Sequence, residues 1–211
     1  MSRSARREMC TYCDRESESR DHVPPKCFLK KPLPSDLQTV PSCKECNLGT
    51  SKDEQYLLVL MAMTSKRTSL SDLVGEAGAV DRALERSVGL DERMIESLRP
   101  EGERVALEPD LPRVSRVLKK IASGLISLHG IRVFPGTLGG AVLYPLAPDA
   151  RPLPVKALSH SPGNPKNGWM IVQKGIFSYR LTVGPTPHQE KVVVMDFHRA
   201  FWGVALLPRS T

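Results

Sequence analysis

The sequence predicts an α+β protein in two parts, an N-terminal ββα unit and a C-terminal domain with one helix against an antiparallel sheet. Three observations predict this fold. All five cysteines fall within residues 10–46, a basic amphipathic helical pattern covers residues 113–129, and the apolar residues beyond 130 follow the period of two that strands have. The expected parts are residues 1–66, a helical connector at 67–110 and a basic domain at 111–211.

Four of the cysteines form two Cys-x-x-Cys pairs, Cys10 with Cys13 and Cys43 with Cys46. A tight turn of this spacing directs both sulfurs at one tetrahedral ion, and thiolate ligands favour Zn²⁺. Because we expect an intracellular protein, the clustered cysteines also indicate a metal site in preference to disulfides. We therefore expect a structural Zn²⁺ with four Cys ligands, and Cys27 as a small apolar residue of the interior.

Side chains that can act as a base or bind a hard metal ion lie between the two cysteine pairs and directly after the second pair. Asp21 and His22 precede a Pro-Pro sequence, and Asn47 directly follows Cys46. A neutral imidazole can remove a proton from water, while carboxylate and amide oxygens suit a hard divalent ion. These residue types are therefore suited to metal-assisted hydrolysis of a phosphodiester. The alternative is that Asp21 and His22 only brace the zinc hairpin through hydrogen bonds.

Local patterns place these residues on a hairpin followed by a helix. Short strands are expected around residues 21–22 and 39–40. Ser51, three residues before Glu54, is typical of a helix start, and the apolar run at 56–61 continues that helix. The zinc ion would clamp the two ends of this ββα unit.

Taken in this order, the motifs resemble the zinc-containing branch of the HNH endonucleases, which have the ββα-metal fold. The resemblance covers about residues 8–62 and implies an enzyme that hydrolyses phosphodiester bonds. It implies that His22 is the general base, and that Asp21 and Asn47 bind a catalytic Mg²⁺ or Mn²⁺. It also implies that Asp36 takes the position that normally braces the loop carrying the base, where Asp either does the same or weakens the bracing. Asp36 departs from the family pattern, in which Asn is usual at this position.

Charge is unevenly distributed along the chain. Residues 111–211 carry 13 Lys or Arg and 3 Asp or Glu, a net +10, whereas residues 55–110 carry 7 and 11, a net −4. The basic excess suits either contact with a polyanion through counterion release or a solvated surface without a partner. We expect a nucleic acid, DNA in the first place. The candidate contacts are Lys26, Lys30, Lys31, Arg113, Arg116, Lys119, Lys120, Lys174 and Arg180, with Tyr179 beside the last.

The remaining elements follow from periodicity and from Gly and Pro clusters. Helices are expected at residues 69–88, 91–98 and 113–129, with a linker or a long surface loop at 100–112, which is rich in Glu and Pro. The expected strands are 131–134, 141–144, 169–173, 176–182, 191–197 and 200–206.

Hydropathy and the motifs together lead to one main hypothesis of function. The chain has no run of about 18 apolar residues and no apolar leader, so we expect a cytoplasmic protein without membrane contact. The main hypothesis is a metal-dependent endonuclease acting on DNA. Two alternatives stay open, a non-catalytic zinc-bearing nucleic-acid-binding module or adaptor, and an enzyme that cleaves RNA.

Overall fold

The N-terminal part is a two-stranded hairpin followed by helices. The computed structural model describes residues 8–64, 78–102, 104–145, 168–183 and 191–207. A 3₁₀ turn at Lys26–Phe28 lies between the two strands, which pair antiparallel. The elements are β1 (Ser19–His22), β2 (Thr39–Ser42), α1 (Lys44–Leu48) and α2 (Ser51–Thr64). The expected order of strand, strand and helix is therefore observed.

Burial distinguishes the two faces of the hairpin. Asp21 is 7% exposed and pairs in register with the buried Val40, whereas His22 is half-buried and pairs with Thr39. Successive residues on a strand point to opposite faces. Asp21 is therefore directed into the protein, and His22 lies on the opposite, more accessible face.

The connector is partly helical and partly β. Helix α3 (Ala79–Arg86) lies within the predicted helix at 69–88 and α4 (Leu90–Glu96) overlaps the one at 91–98, while residues 65–77 lie outside the described part of the chain. The prediction of a linker or surface loop at 100–112 is wrong for the first half of that segment. Strands β3 (Leu98–Glu101) and β4 (Arg104–Leu107) form an antiparallel hairpin there. Pro100 is accepted because a two-stranded sheet has only edge strands, so one N–H is not needed for pairing.

Helix α5 (Leu111–Ser127) lies at the centre of the protein. The Asp110 side chain caps it by accepting a hydrogen bond from the backbone N–H of Arg113, and Pro112 occupies its first turn. The helix packs against α2 and against strands of the C-terminal sheet. Its buried apolar face matches the predicted one and includes Val114, Val117, Leu118, Ile121 and Leu125.

The C-terminal part is a five-stranded antiparallel sheet in the order β5-β9-β8-β7-β6. The strands begin and end within one or two residues of the predicted positions, with one exception. Residues 131–134, predicted as a strand, are irregular and lead into a 3₁₀ turn at Pro135–Thr137. The strands are β5 (Ala141–Pro145), β6 (Met170–Gln173), β7 (Phe177–Val183), β8 (Lys191–Phe197) and β9 (Phe201–Leu206).

The hairpin, the helices and the sheet share one apolar core. Phe28, in the connection after β1, packs edge-on against Phe197 of β8 with ring centroids 5.6 Å apart. The molecule is thus an α+β protein in which the expected division at residues 66 and 110 stays a prediction. None of the described helices is long and apolar enough to cross a membrane.

Candidate metal centre and hydrolytic site

The two Cys-x-x-Cys pairs converge beside the hairpin. The Sγ atoms of Cys10, Cys13, Cys43 and Cys46 all lie within 4.8 Å of one another. Four thiols at this spacing suit a tetrahedral ion, so the predicted cluster is confirmed as a site that can hold a metal such as Zn²⁺. Cys27 lies outside the cluster, and burial raises the pKa of its thiol. Its expected structural role fits this placement.

Hydrogen bonds hold the cysteine turns in place. The Sγ atoms of Cys10 and Cys43 each accept a backbone N–H two or three residues ahead, at 3.4 Å. Arg132, which follows α5, donates from Nη2 to the carbonyl oxygens of Cys10 and Cys13 at 2.8 and 2.6 Å. The sequence does not predict a role for Arg132, because this residue lies 119 residues from Cys13 and no local pattern indicates such a contact.

Asp21 belongs to a buried charge cluster. Lys120 Nζ, from α5, lies 2.9 Å from Asp21 Oδ2 and 2.9 Å from Glu54 Oε1. It also donates to Thr50 Oγ1 at 2.8 Å and to the Asn47 carbonyl oxygen at 3.4 Å. Burial acts to lower the pKa of Lys120, but the charges of Glu54 and then Asp21 outweigh it and raise the pKa. The ammonium therefore stays charged inside an oxygen-rich cage.

This cluster corrects the expectation that Lys120 contacts a nucleic acid, because its side chain is only 4% exposed. Helical periodicity placed Lys120 off the apolar face of α5, but α2 and the hairpin cover that side of the helix. Arg113 is also engaged internally, with Nε 2.7 Å from Asp53 Oδ1 and its side chain 15% exposed. Arg116 binds the other oxygen of Asp53 at 2.9 Å and keeps 56% of its side chain exposed. Arg116 thus remains available to a partner, whereas Lys120 is not.

His22 lies at the end of β1 with its ring half-buried. Desolvation lowers its pKa, the nearby charge of Lys26 lowers it further, and Asp21 acts in the opposite direction. Since the ordinary pKa of histidine is about 6.5, the ring is mainly neutral at pH 7. A neutral imidazole is the form that can accept a proton.

Asn47 braces β1 from the end of the second cysteine turn. Its Nδ2 donates to Ser19 Oγ at 3.1 Å and to the Arg20 carbonyl oxygen at 3.3 Å. Asp36, in contrast, is exposed in the turn before β2, and only its backbone carbonyl accepts a hydrogen bond within the described residues. The structure therefore brings Asn47 to the strand that carries Asp21 and His22, but it does not place the Asp36 carboxylate in the expected bracing position.

The residues assigned to a catalytic divalent ion have suitable donor chemistry. Carboxylate and amide oxygens are preferred by Mg²⁺ and Mn²⁺. The ion pair with Lys120 uses Asp21 Oδ2, and both side-chain hydrogen bonds of Asn47 use Nδ2. An ion would bind through the Asp21 carboxylate and the Asn47 amide oxygen. An ion bound there would share the Asp21 carboxylate with the Lys120 ammonium, and the two positive charges would repel each other.

The other basic residues predicted to contact nucleic acid differ in exposure. Lys26, Lys30, Lys31 and Lys174 are exposed, while Lys119 and Arg180 are partly buried. The Gln173 side chain accepts from the Lys30 backbone N–H at 2.9 Å and donates to its carbonyl oxygen at 2.8 Å. This contact brings Lys174 to the connection that carries Lys26, Lys30 and Lys31. Tyr179 is buried, and its hydroxyl lies 3.1 Å from His129 Nε2.

The site thus combines a four-cysteine cluster, a hairpin carrying Asp21 and His22, and an asparagine that joins the two. Each of these parts was expected from the sequence, whereas Lys120, Glu54 and Arg132 were added by tertiary packing. No protein-family model, curated protein or solved structure matches the chain.

Proposed function

We propose that this protein is a metal-dependent endonuclease of the HNH type that hydrolyses phosphodiester bonds in DNA. One observation carries the proposal. The four-cysteine cluster, the half-buried His22, Asp21 and Asn47 all lie on one hairpin or in the turns directly before and after it. This arrangement supports the proposal because a neutral base and a carboxylate are consecutive residues of one strand, next to a cluster that can hold a structural metal.

The proposed chemistry divides between His22 and the oxygen donors. His22 accepts the proton of a water molecule that attacks the phosphorus atom. The Asp21 carboxylate and the Asn47 amide oxygen would hold Mg²⁺ or Mn²⁺, which would neutralise the charge that develops on the leaving oxygen. Asn47 also orients β1 through Ser19 and Arg20, so it keeps the base and the carboxylate in a fixed relation.

A second candidate function has an observation in its favour. The ion pair between Lys120 and Asp21 neutralises the carboxylate that a catalytic metal needs. This contact favours a non-catalytic zinc-bearing module that binds nucleic acid, possessing the architecture of a nuclease without its activity.

A plasmid-nicking assay distinguishes the two functions. The purified, zinc-loaded chain is incubated with supercoiled DNA and Mg²⁺ or Mn²⁺, beside the His22→Ala and His129→Ala variants. We expect wild type and His129→Ala to cut, and His22→Ala to lose about 100-fold or more in rate, since general-base catalysis contributes about 10²–10⁴. All three variants should contain the same amount of zinc.

Two results would reject the enzyme. Equal cutting by wild type and His22→Ala indicates a contaminating nuclease. Absence of cutting by wild type on plasmid and on RNA, with zinc bound, leaves the non-catalytic module as the function. Cutting of RNA alone keeps the mechanism and changes the substrate.

A further inference from the structure

A cavity with a basic rim lies beside the hairpin, between the connection that follows β1 and helix α3. Its volume is about 230 Å³. Lys26 and Lys31 border it from the connection, and Arg82 and Arg86 border it from α3. The described residues that line this cavity include these four cations and no carboxylate.

The net charge of residues 55–110, which is −4, does not reveal the basic residues of α3. Arg82 and Arg86 are four residues apart and so share one face of the helix. Asp81 lies on another side of α3, where it borders a different and mainly apolar cavity. Helix α3 therefore turns a basic face towards the hairpin although its surroundings are acidic.

The floor of this cavity is apolar. Leu29, Leu33 and Leu58 line it together with Ala83, and Gln55 adds one polar group. A ligand that suits the cavity has an anionic part for the rim and a flat or apolar part for the floor. A nucleotide within a polynucleotide strand has both, because its phosphate is anionic while its sugar and base present apolar faces.

The cavity is also close to the proposed catalytic base. Lys26 follows His22 by four residues, and its positive charge contributes to lowering the pKa of the His22 imidazole. Lys26 begins the 3₁₀ turn that follows β1, whose last residue is His22, and it also borders the cavity. A strand that passes His22 therefore has its neighbouring phosphates next to the basic rim.

We propose that this cavity binds one nucleotide of the nucleic-acid strand next to the scissile bond, with the phosphate held by Arg82, Arg86, Lys26 and Lys31 and the nucleoside against the leucine floor. The identity of the ligand rests on the proposed function, but its binding does not require cleavage. Arg82 and Arg86 thereby make the connector part of the substrate-binding surface.

The test measures binding without cleavage. Every protein carries His22→Ala, and no Mg²⁺ or Mn²⁺ is added. Arg82→Gln/Arg86→Gln is compared with Arg93→Gln/Arg99→Gln, which removes the same two charges from the same connector at exposed positions away from the cavity. Fluorescence anisotropy gives Kd for single-stranded DNA, duplex DNA and RNA at a series of salt concentrations.

We expect the cavity variant to bind about tenfold or more weakly, and the slope of log Kd against log salt to decrease by about one for each lost phosphate contact. The control should keep the wild-type slope. Lys26→Gln/Lys31→Gln changes the opposite wall of the cavity and leaves α3 intact, and it should show the same loss of affinity. If the α3 variant does not fold, this second variant tests the proposal. Thermal unfolding and zinc content report folding.

Equal loss of affinity in the cavity variant and the control, or an unchanged salt slope in both cavity variants, would overturn the proposal. These outcomes are separate from failure of the proposed function. If the protein does not nick plasmid but shows the expected binding differences, the cavity is supported as a nucleotide-binding site and the nuclease activity is rejected. If the protein nicks plasmid normally and both cavity variants bind as the wild type does, the nuclease activity is supported and the cavity is rejected as a nucleotide-binding site.

Discussion

Lys120 connects three segments through a single ammonium group. It contacts Asp21 on β1, Thr50 and Glu54 around the start of α2, and the backbone of Asn47 between them. An intact buried ion pair adds little net stability, because desolvation of the charges offsets their attraction. Removal of one partner has a larger effect, because the remaining charges stay buried and unpaired.

Replacement of Lys120 by Met should therefore destabilise the protein strongly. Asp21 and Glu54 would remain as two buried carboxylates, and we expect the free energy of unfolding to decrease by about 3–5 kcal/mol. Urea denaturation followed by circular dichroism measures the change. Lys119→Met is the matched control, since this neighbouring side chain is partly exposed, and it should change stability by about 0.5 kcal/mol or less. Similar small effects for both variants would contradict the buried cluster.

At the level of single residues, the sequence predicted what local spacing encodes. The cysteine turns and the Asp21–His22 pair are recognisable because their partners recur at short, characteristic intervals. Lys120 and Arg132 reach the same region from 73 and 119 residues away. Their positions depend on how α5 crosses the hairpin, which neither periodicity nor charge pattern specifies.

Helix α5 approaches the hairpin closely, and Gly124 is the residue that permits the contact. A Cβ at position 124 would lie 2.8 Å from Val23 Cγ2 and 3.1 Å from Tyr12 Oη. Val23 is 1% exposed and Tyr12 is 7% exposed, so neither side chain has room to move aside. The glycine is thus retained in a helix interior where Ala is otherwise preferred.

Gly124→Ala should destabilise the protein in spite of its better helix propensity. Alanine gains about 1 kcal/mol in a helix, whereas overpacking costs about 1–3 kcal/mol, and the rigid surroundings favour the upper part of that range. We expect a net loss of about 1–2 kcal/mol by urea denaturation. Ser115→Ala, on the same helix but partly exposed, should be neutral or slightly stabilising. A stabilising effect of Gly124→Ala would show that α5 does not approach Val23 this closely.

The two errors in predicted elements have physical explanations. The Glu- and Pro-rich segment at 100–112 resembles a linker, but its first half pairs as β3 and β4, where Pro100 occupies an edge position. Residues 131–134 have a strand-like composition but lie along α5. Ser123 Oγ donates to the Val133 carbonyl oxygen, and Arg132 turns towards the cysteine cluster. The Ser123 side chain thus satisfies the Val133 carbonyl, a backbone group that a neighbouring strand would otherwise bind.

At the scale of the molecule, the sheet supports the hairpin directly. His198 lies 1% exposed just after β8, and its Nε2 is 3.0 Å from the Phe28 carbonyl oxygen. Phe28 also packs against Phe197, and Gln173 binds the backbone of Lys30. The connection between β1 and β2 is therefore held along the sheet. The sequence predicted both parts of the fold but not their shared core, because contacts between distant apolar residues leave no local pattern.

This shared core predicts that metal removal from the cysteine cluster destabilises the distant sheet. Both tryptophans, Trp169 and Trp202, belong to the sheet region and are 2% and 1% exposed, so their fluorescence reports its unfolding alone. A structural zinc contributes folding free energy, and its loss should lower Tm by about 10 °C or more in a chain of this size. We expect tryptophan fluorescence and far-UV circular dichroism to give one coincident, lowered transition after chelation, as a single cooperative unit requires.

Cys46→Ser should reproduce the shift without chelator, while Cys27→Ala, outside the cluster, should bind zinc and unfold near the wild-type temperature. A tryptophan transition that stays at its original temperature after zinc removal would show that residues 111–211 fold as a separate domain, and that the contacts of Phe28 and Lys30 with the sheet contribute little to holding the hairpin.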